Sequence, residues 1–319
     1  MKKVLLFIAL TLALISCRTN VFDENETAEE ETLNAEVSKM FELYSRAFQE
    51  GDEKVEEEFE NLLQEYDGKY NSDLYENFIM EKNAAIDRLS GEGSYSPISS
   101  LPFNKDGAVY LSGGYDGILS AIITYVSPKS TRGKYYHAAT LDLDKFDPTN
   151  LDSPCLHSAV VKGAGFETPN QWMRKPNVAV LYSRSYIDKN KLDLSQKKMD
   201  YYCDARNTNM RYGFFNNFAN IFSATTKEDN YWWYCTKVVW RIYNELGINL
   251  DTNSSVIDWS SSGLYNFVKS YYKTIYFYDQ DIAAAKLESY ISNIKKTLIV
   301  ADELYYSPFL YKGFEIIRN

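Results

Sequence analysis

The stretch that decides the fold is NYWWYCTKVVWRIYNELGINL, which runs from Asn230 to Leu250. It places Cys235 behind four aromatic residues, at the start of a helix predicted from Tyr234 to Leu246 and ended by Gly247. A thiol at a helix N-terminus lies near unpaired backbone N–H groups and the positive end of the helix dipole, which favours the reactive thiolate. Cys235 is therefore a candidate nucleophile. The alternative is a small buried residue that fills core space.

His137 is the candidate base for this thiol, at the start of a strand predicted from His137 to Leu143. A cysteine and a histidine need to meet only in space, so their separation along the chain is no obstacle. The alternative is a histidine satisfied within a sheet. The second of the two histidines, His157, follows Cys155 with a spacing that suits a metal, but further ligands are missing from the neighbouring sequence. We predict no metal and no cofactor.

The N-terminus has the pattern of an export signal, with a basic start at Met1-Lys2-Lys3 and an apolar run from Val4 to Ile15. The residues Leu14-Ile15-Ser16-Cys17 resemble the bacterial lipobox. The resemblance implies that residues 1–16 are removed and that Cys17 carries a diacylglyceryl group and palmitate. Such chains anchor a protein to a membrane. We therefore predict a bacterial cell-envelope lipoprotein on the periplasmic or surface side.

The composition is that of an acidic globular protein, with 45% hydrophobic residues, a net charge of -10 and a pI near 4.9. The negative charge argues against nucleic acid and anionic lipid head groups as partners. Lipidation of Cys17 leaves three cysteines, an odd number in a compartment that permits disulfides. A disulfide between Cys155 and Cys203 is one hypothesis, and it leaves Cys235 free.

Hydrophobic periodicity divides the rest of the chain into four regions. Residues 17–33 are acidic and predict a flexible tether. Residues 34–93 carry three amphipathic helix patterns, the last from Leu74 to Leu89, either as a bundle or packed on the body. Residues 94–280 form the main domain, and residues 281–319 a helix, Ile282 to Leu298, with an irregular end.

In the main domain, predicted strands come first, separated by segments that contain Gly, Pro and Asn, and predicted helices follow. The predicted strands are Gly117 to Tyr125, His137 to Leu143, Ser158 to Val161, Val178 to Tyr182 and Lys273 to Tyr278. Leu194 to Ala205 and the cysteine segment are predicted helices. This order predicts an α+β fold rather than a doubly wound parallel sheet.

The order of segments resembles a known family. DGILSAI, HAATLDL, AVVKGAGFETPNQW, VAVLYSR, RYGFFNNF and YCTKVVWRIYNELGINL follow one another as in the YiiX/YebB-like family of circularly permuted papain-fold cysteine hydrolases, within the NlpC-type group. The resemblance covers Gly113 to Asp279 and is most specific at the cysteine helix. It implies a permuted papain-like fold with Cys235 as nucleophile and His137 as general base. Tyr212 aligns with a tyrosine of the family's cleft, which Tyr234 is also expected to line.

The sequence departs from the family at two positions. The glutamate that orients the imidazole in the family falls at Lys162, whose side chain cannot accept the imidazole N–H. Glu167, Asp142 or a backbone carbonyl are the alternatives for that role. Lys237 stands where the family has a glutamate, and it is expected to help hold a thiolate or an acidic substrate.

These features together predict a membrane-anchored cysteine hydrolase, an amidase or peptidase that cleaves cell-wall or small peptides through an acyl-enzyme. A papain-like surface lipoprotein with weakened catalysis that binds a partner is one alternative, favoured by Lys162 and by 27 tyrosines. Another is a hydrolase of lipid or thioester acyl groups, because relatives in the same superfamily transfer fatty acyl groups.

Overall fold

The computed structural model describes residues 53–318, except for 90–94, 114–126, 129–133, 161–162, 205–209, 213–226 and 253–256, together with scattered helical residues between 28 and 46. The predicted signal, Cys17 and the predicted strand from Gly117 to Tyr125 lie outside the described residues. Leu33, at the end of the predicted tether, is helical and buried, so the flexible tether was predicted too long. Among the described residues, every helix is too short or too polar to span a bilayer.

An antiparallel sheet of six strands organises the described residues. Its strands are β1 (Val109–Gly113), β2 (His137–Leu141), β3 (Leu156–Val160), β4 (Gly163–Glu167), β5 (Asn177–Ser183) and β8 (Leu310–Ile317), in the order β4-β3-β2-β1-β5-β8. A short parallel pair, β6 (Arg211–Tyr212) and β7 (Trp232–Trp233), leads into the cysteine helix. The β8 strand comes from the region that the sequence analysis assigned to an irregular tail, so that part of the tail completes the sheet.

Helices cover the sheet and extend the core. They are α1 (Glu53–Tyr70), α2 (Leu74–Leu89), α3 (Pro169–Met173), α4 (Lys189–Cys203), α5 (Cys235–Glu245), α6 (Gly263–Ile275), α7 (Gln280–Thr297) and α8 (Ala301–Tyr305), with 3-10 turns at Leu143–Lys145 and Trp259–Ser261. The α5 helix packs on β2, β3 and α4. This is an α+β arrangement, as predicted. The papain-like permutation stays a prediction.

The sequence of α5 explains why it lies on the sheet. Val238, Val239 and Ile242 follow the spacing of one helix face, and all three are fully buried. Each such burial stabilises the fold by roughly 1.5–3 kcal/mol. Gly247, with φ of +78°, takes the left-handed conformation just after the helix and ends it. The apolar face therefore fixes α5 against the strand that begins with His137.

Two secondary-structure predictions are wrong. Lys273 to Tyr278 is not a strand, because α6 continues to Ile275 and the N–H of Tyr276 caps it at the carbonyl of Tyr272. The KTIYFY run is the end of a helical apolar stripe whose earlier members, Phe267 and Tyr271 among them, are buried. The chain end, predicted to be irregular, contains α8 and β8.

The other described elements agree with prediction within a few residues. The helices at Leu74–Leu89 and Gln280–Thr297 and the strand at Asn177–Ser183 are confirmed, whereas α4 starts at Lys189 rather than Leu194. The strands β1 and β4 were missed. Both are short and rich in glycine or serine, which hides the strand pattern.

The N-terminal helices pack on the body rather than apart from it. The rings of Tyr66 and Tyr70 lie 4.8 and 6.0 Å from the ring of Phe267 in α6. Phe267 is fully buried, in the same hydrophobic cluster as residues of α1, α2 and α5. The sequence left open a separate helical bundle or helices packed on the body, and the structure has the helices packed on the body.

Candidate functional site

Cys235 is the first residue of α5 and follows directly on β7. The N-cap residue, Tyr234, is extended (φ -144°, ψ 159°) and makes no side-chain cap. The backbone N–H groups of the first turn therefore have no capping side chain at the N-cap position. The sulfur lies 3.9 Å from the carbonyl oxygen of Tyr136, the residue before His137. Cys235 is 2% exposed and His137 is 5% exposed.

The structure brings Cys235 and His137 together. The sulfur lies next to the residue that precedes His137, and Cys235 is among the groups that raise the pKa of the imidazole. The ring contacts Glu167, whose Oε2 lies 2.7 Å from Nε2. The start of α5 thus lies against the start of β2, where the thiol and the imidazole are neighbours.

Glu167, at the end of β4, lies behind the imidazole. Its Oε2 also accepts the indole N–H of Trp172 at 3.3 Å. The indole stacks on the imidazole, with ring centroids 5.4 Å apart and an angle of 15° between the planes. Among the three alternatives from the sequence, Glu167 is the one that contacts His137. Lys162, at the position of the family's glutamate, lies outside the described residues.

Charge at the site follows from these contacts. Burial lowers the pKa of His137, but Glu167 and Cys235 outweigh it and raise the pKa to about 10. Burial raises the pKa of Glu167, but His137 outweighs it and lowers the pKa to about 2. Both groups are therefore charged near neutral pH.

Sequence reasoning missed two residues of this site, Trp172 and Ser158. The hydroxyl oxygen of Ser158 lies 3.4 Å from Nε2 of His137 and donates to the carbonyl of Ala138 at 2.8 Å. Trp172 is placed by α3, which starts with a capping box formed by Thr168 and Gln171. That box, directly after Glu167 in the sequence, was the available signal for Trp172.

Asp142, the other carboxylate considered for the orienting role, lies in a different network. It binds the ammonium of Lys145, which is also 2.8 Å from Oδ2 of Asp200. His157 Nε2 lies 2.8 Å from Oδ1 of Asp200. Asp142, His157 and Asp200 offer ligand atoms within 4.8 Å of one another. Lys145 already supplies positive charge to both carboxylates, so the structure gives Asp142 a role in this network and not behind His137.

Tyr234, one of the two residues predicted to line a cleft, does not line an open surface. Tyr234 is 1% exposed, and its hydroxyl accepts the backbone N–H of Ile299 at 3.3 Å. Its ring therefore belongs to the core, because a cleft wall needs exposed area. The side chain of Tyr212 lies outside the described residues.

Lys237 binds residues that precede its own helix. Its ammonium donates to the carbonyl of Trp232 at 2.7 Å and lies 3.8 Å from Asp229. The side chain is fully buried, and burial lowers its pKa to about 7 against the opposing charge of Asp229. The expected contact with a thiolate or substrate is not among these contacts.

No family model matches the sequence, and no curated protein matches it either. A solved structure is similar to this one. It is the crystal structure of the metalloprotein yiiX from Escherichia coli O157:H7, 15% identical, with a TM-score of 0.42, covering 68% of this chain and 99% of that one. A likeness at this TM-score supports no conclusion about activity, which has to come from this chain's own residues.

The two remaining described cysteines are free thiols, so the hypothesis of a disulfide between them is wrong for this structure. Burial, with the charge of Asp142, raises the pKa of Cys155 to about 12. Burial, with the charge of Asp200, also raises the pKa of Cys203. A raised pKa keeps both thiols protonated and unreactive near neutral pH. Cys235 differs from them in position, because it lies at a helix start next to the strand that begins with His137.

Proposed function

We propose that this protein is a cysteine hydrolase that cleaves amide bonds through an acyl-enzyme on Cys235. The observation that carries the proposal is the position of Cys235, at a helix start and next to the strand that begins with His137, whose Nε2 lies 2.7 Å from Oε2 of Glu167. A nucleophile, a base beside it and a third group that orients the base are the constellation required for acyl transfer.

The reaction begins with attack of the Cys235 thiolate on the carbonyl carbon, which forms a C–S bond and a tetrahedral oxyanion. Backbone N–H groups of the first turn of α5 are the donors nearest the nucleophile for that oxyanion. The imidazolium of His137 then protonates the leaving amine as the C–N bond breaks. Water, deprotonated by the neutral imidazole, attacks the thioester and releases the acid and the thiolate. Glu167 holds the ring in the required orientation throughout.

The substrates we propose are peptidoglycan stem peptides or other small peptides, reached from a membrane to which acylated Cys17 anchors the chain. Support for this comes from the export pattern and from Leu14-Ile15-Ser16-Cys17, which are typical of chains exported to the cell envelope. The net charge of -10 makes nucleic acid an unfavourable partner.

A second candidate function is a surface lipoprotein that binds a partner without turnover. The observation that favours it is burial, because Cys235 and His137 are 2% and 5% exposed. A substrate carbonyl has to reach the sulfur, and a buried dyad can also serve only to stabilise the fold.

The test compares the mature chain in detergent with Cys235→Ala and His137→Ala on muropeptides and peptide amides. We expect Cys235→Ala and His137→Ala to lower kcat/KM by about 10⁴-fold or more, the range for lost triad members. Cys203→Ala, a control that removes a thiol outside the candidate site, is expected to retain the wild-type rate. Mass spectrometry should show an acyl adduct on Cys235 only.

The proposal is wrong if Cys235→Ala hydrolyses as fast as the wild type. A wild type that hydrolyses no peptide, forms no adduct on Cys235 and keeps every cellular phenotype in the Cys235→Ala strain supports the binding function instead.

A further inference from the structure

The two residues that flank Cys235 are both bound to a single distant residue. The hydroxyl of Tyr234 accepts the N–H of Ile299 at 3.3 Å, and the hydroxyl of Thr236 donates to the carbonyl of Ile299 at 2.6 Å. Ile299 and Tyr234 are 0% and 1% exposed, so water does not replace these contacts. The main chain of Ile299 therefore binds the residues on both sides of Cys235.

Ile299 is itself held on both sides. The residue before it, Leu298, ends α7 with its N–H on the carbonyl of Ile294 at 2.9 Å. The residue after it, Val300, donates its N–H to Oε2 of Glu303 at 2.9 Å, and Glu303 is 1% exposed. The turn between α7 and α8 is thus fixed where it meets α5.

The start of α5 needs such an external contact. A helix usually begins with a side chain that caps its first N–H groups, and Tyr234 provides no such bond. The hydroxyl of Tyr234 accepts the backbone N–H of Ile299, away from the helix start. The position of the first turn, and with it the sulfur, is therefore set from outside the helix.

We propose that Thr236 and Tyr234 are positioning residues, through which the turn at Ile299 sets the distance between the Cys235 sulfur and the His137 imidazole. Its importance for catalysis rests on the proposed function, because displacement of a nucleophile by about 1 Å lowers a rate about 100-fold. The positioning itself is a property of the fold and is measurable without a substrate.

The test uses Thr236→Val, which removes the hydroxyl and keeps the shape of the side chain. The control is Ser195→Ala, because the buried hydroxyl of Ser195 donates to the carbonyl of Ile242 in the last turns of the same helix at 2.9 Å. The readout is the titration midpoint of His137, followed by NMR in the full mature chain, which has two histidines.

The Cys235 sulfur helps to raise the pKa of His137, so a displaced sulfur lowers the midpoint. We expect Thr236→Val to lower it by roughly one pH unit, the smaller end of the effect of a neighbouring opposite charge. Ser195→Ala is expected to keep the wild-type midpoint. Equal midpoints in the two variants overturn the inference.

Tyr234→Phe is the second variant, because it keeps the ring in the core and removes only the acceptor for Ile299. If Thr236→Val fails to fold, we expect Tyr234→Phe to lower the titration midpoint of His137 in the same way. A lowered midpoint in a protein that hydrolyses nothing refutes the proposed function and leaves the positioning intact. Hydrolysis by a wild type whose variants keep both midpoint and rate refutes only the positioning.

Discussion

At the scale of single residues, the candidate site is a chain of three side chains, Cys235, His137 and Glu167. The last two are buried and oppositely charged, and the indole of Trp172 covers their contact. Removal of one member of a buried pair leaves an uncompensated charge, which costs about 3–5 kcal/mol. Each residue therefore influences both the stability of the fold and the protonation of the imidazole.

Glu167→Gln is the prediction at this scale. The amide keeps a hydrogen bond to Nε2 but loses the charge, so the pKa of His137 should fall from about 10 toward its ordinary 6.5. We expect kcat/KM to fall by about 10⁴-fold, as for the equivalent change in a serine triad. NMR titration of the ring and steady-state kinetics measure the two effects. Asp142→Asn is the matched control, and equal effects of both substitutions contradict the role of Glu167.

At the scale of secondary-structure elements, the first turn of α5 contains a buried lysine, Lys237. The ammonium of Lys237 is 5.1 Å from the ring of Trp233 and has Asp229 at 3.8 Å. A positive charge in a first turn is also unfavourable to the helix dipole. Burial lowers the pKa of Lys237 from 10.5 to about 7, so this helix is destabilised when the lysine is protonated.

Lys237→Met tests whether the buried lysine destabilises the fold when it is protonated. Between pH 7 and 10.5 the unfolded chain holds a proton on Lys237 that the folded chain has released, so stability contributed by this site rises with pH and is lowest below about pH 7. We expect Lys237→Met to increase the free energy of unfolding in urea at pH 6 and to change it less at pH 10. Lys273→Met, at an exposed position of α6, should show no such difference between the two pH values. A gain of equal size at both values contradicts the assignment.

At the scale of the whole molecule, one hydrophobic cluster joins α1 and α2 to α5, α6 and α7. The C-terminal strand joins the same body, because Glu315 in β8 accepts hydrogen bonds from Tyr135 at 2.6 Å and from Tyr305 at 2.9 Å. Tyr135 lies two residues before His137. The first and last described segments therefore support the body that carries the candidate site.

Phe267→Ala is the prediction for this shared core. Deletion of a fully buried phenylalanine costs about 3–5 kcal/mol. Because Tyr66 and Tyr70 contact Phe267, we expect the N-terminal helices and the body to unfold together, in one transition shifted to lower urea. Far-UV circular dichroism reports the helices, and fluorescence of the five tryptophans, all beyond residue 170, reports the body. Asn266→Ala, exposed on the same helix, is the control. An early helical transition with an unchanged fluorescence midpoint contradicts a shared core.

The sequence by itself determined the candidates, because helix starts, strand starts and thiol chemistry depend on neighbouring residues. Cys235 at the head of an amphipathic helix and His137 at the head of a strand are local patterns. Their assignment as a catalytic pair stays a prediction until turnover is measured.

Only the tertiary structure decided what surrounds that pair. The sequence left three alternatives for the group that orients the imidazole, and the position of β4 brings Glu167 to it. The sequence predicted Tyr234 in a cleft, whereas its hydroxyl accepts the N–H of Ile299. The KTIYFY run was ambiguous because a short apolar segment fits either a strand or the end of a helix. Hydrogen bonds, burial and charge at these positions come from residues distant in the chain, and local sequence patterns carry no information about such contacts.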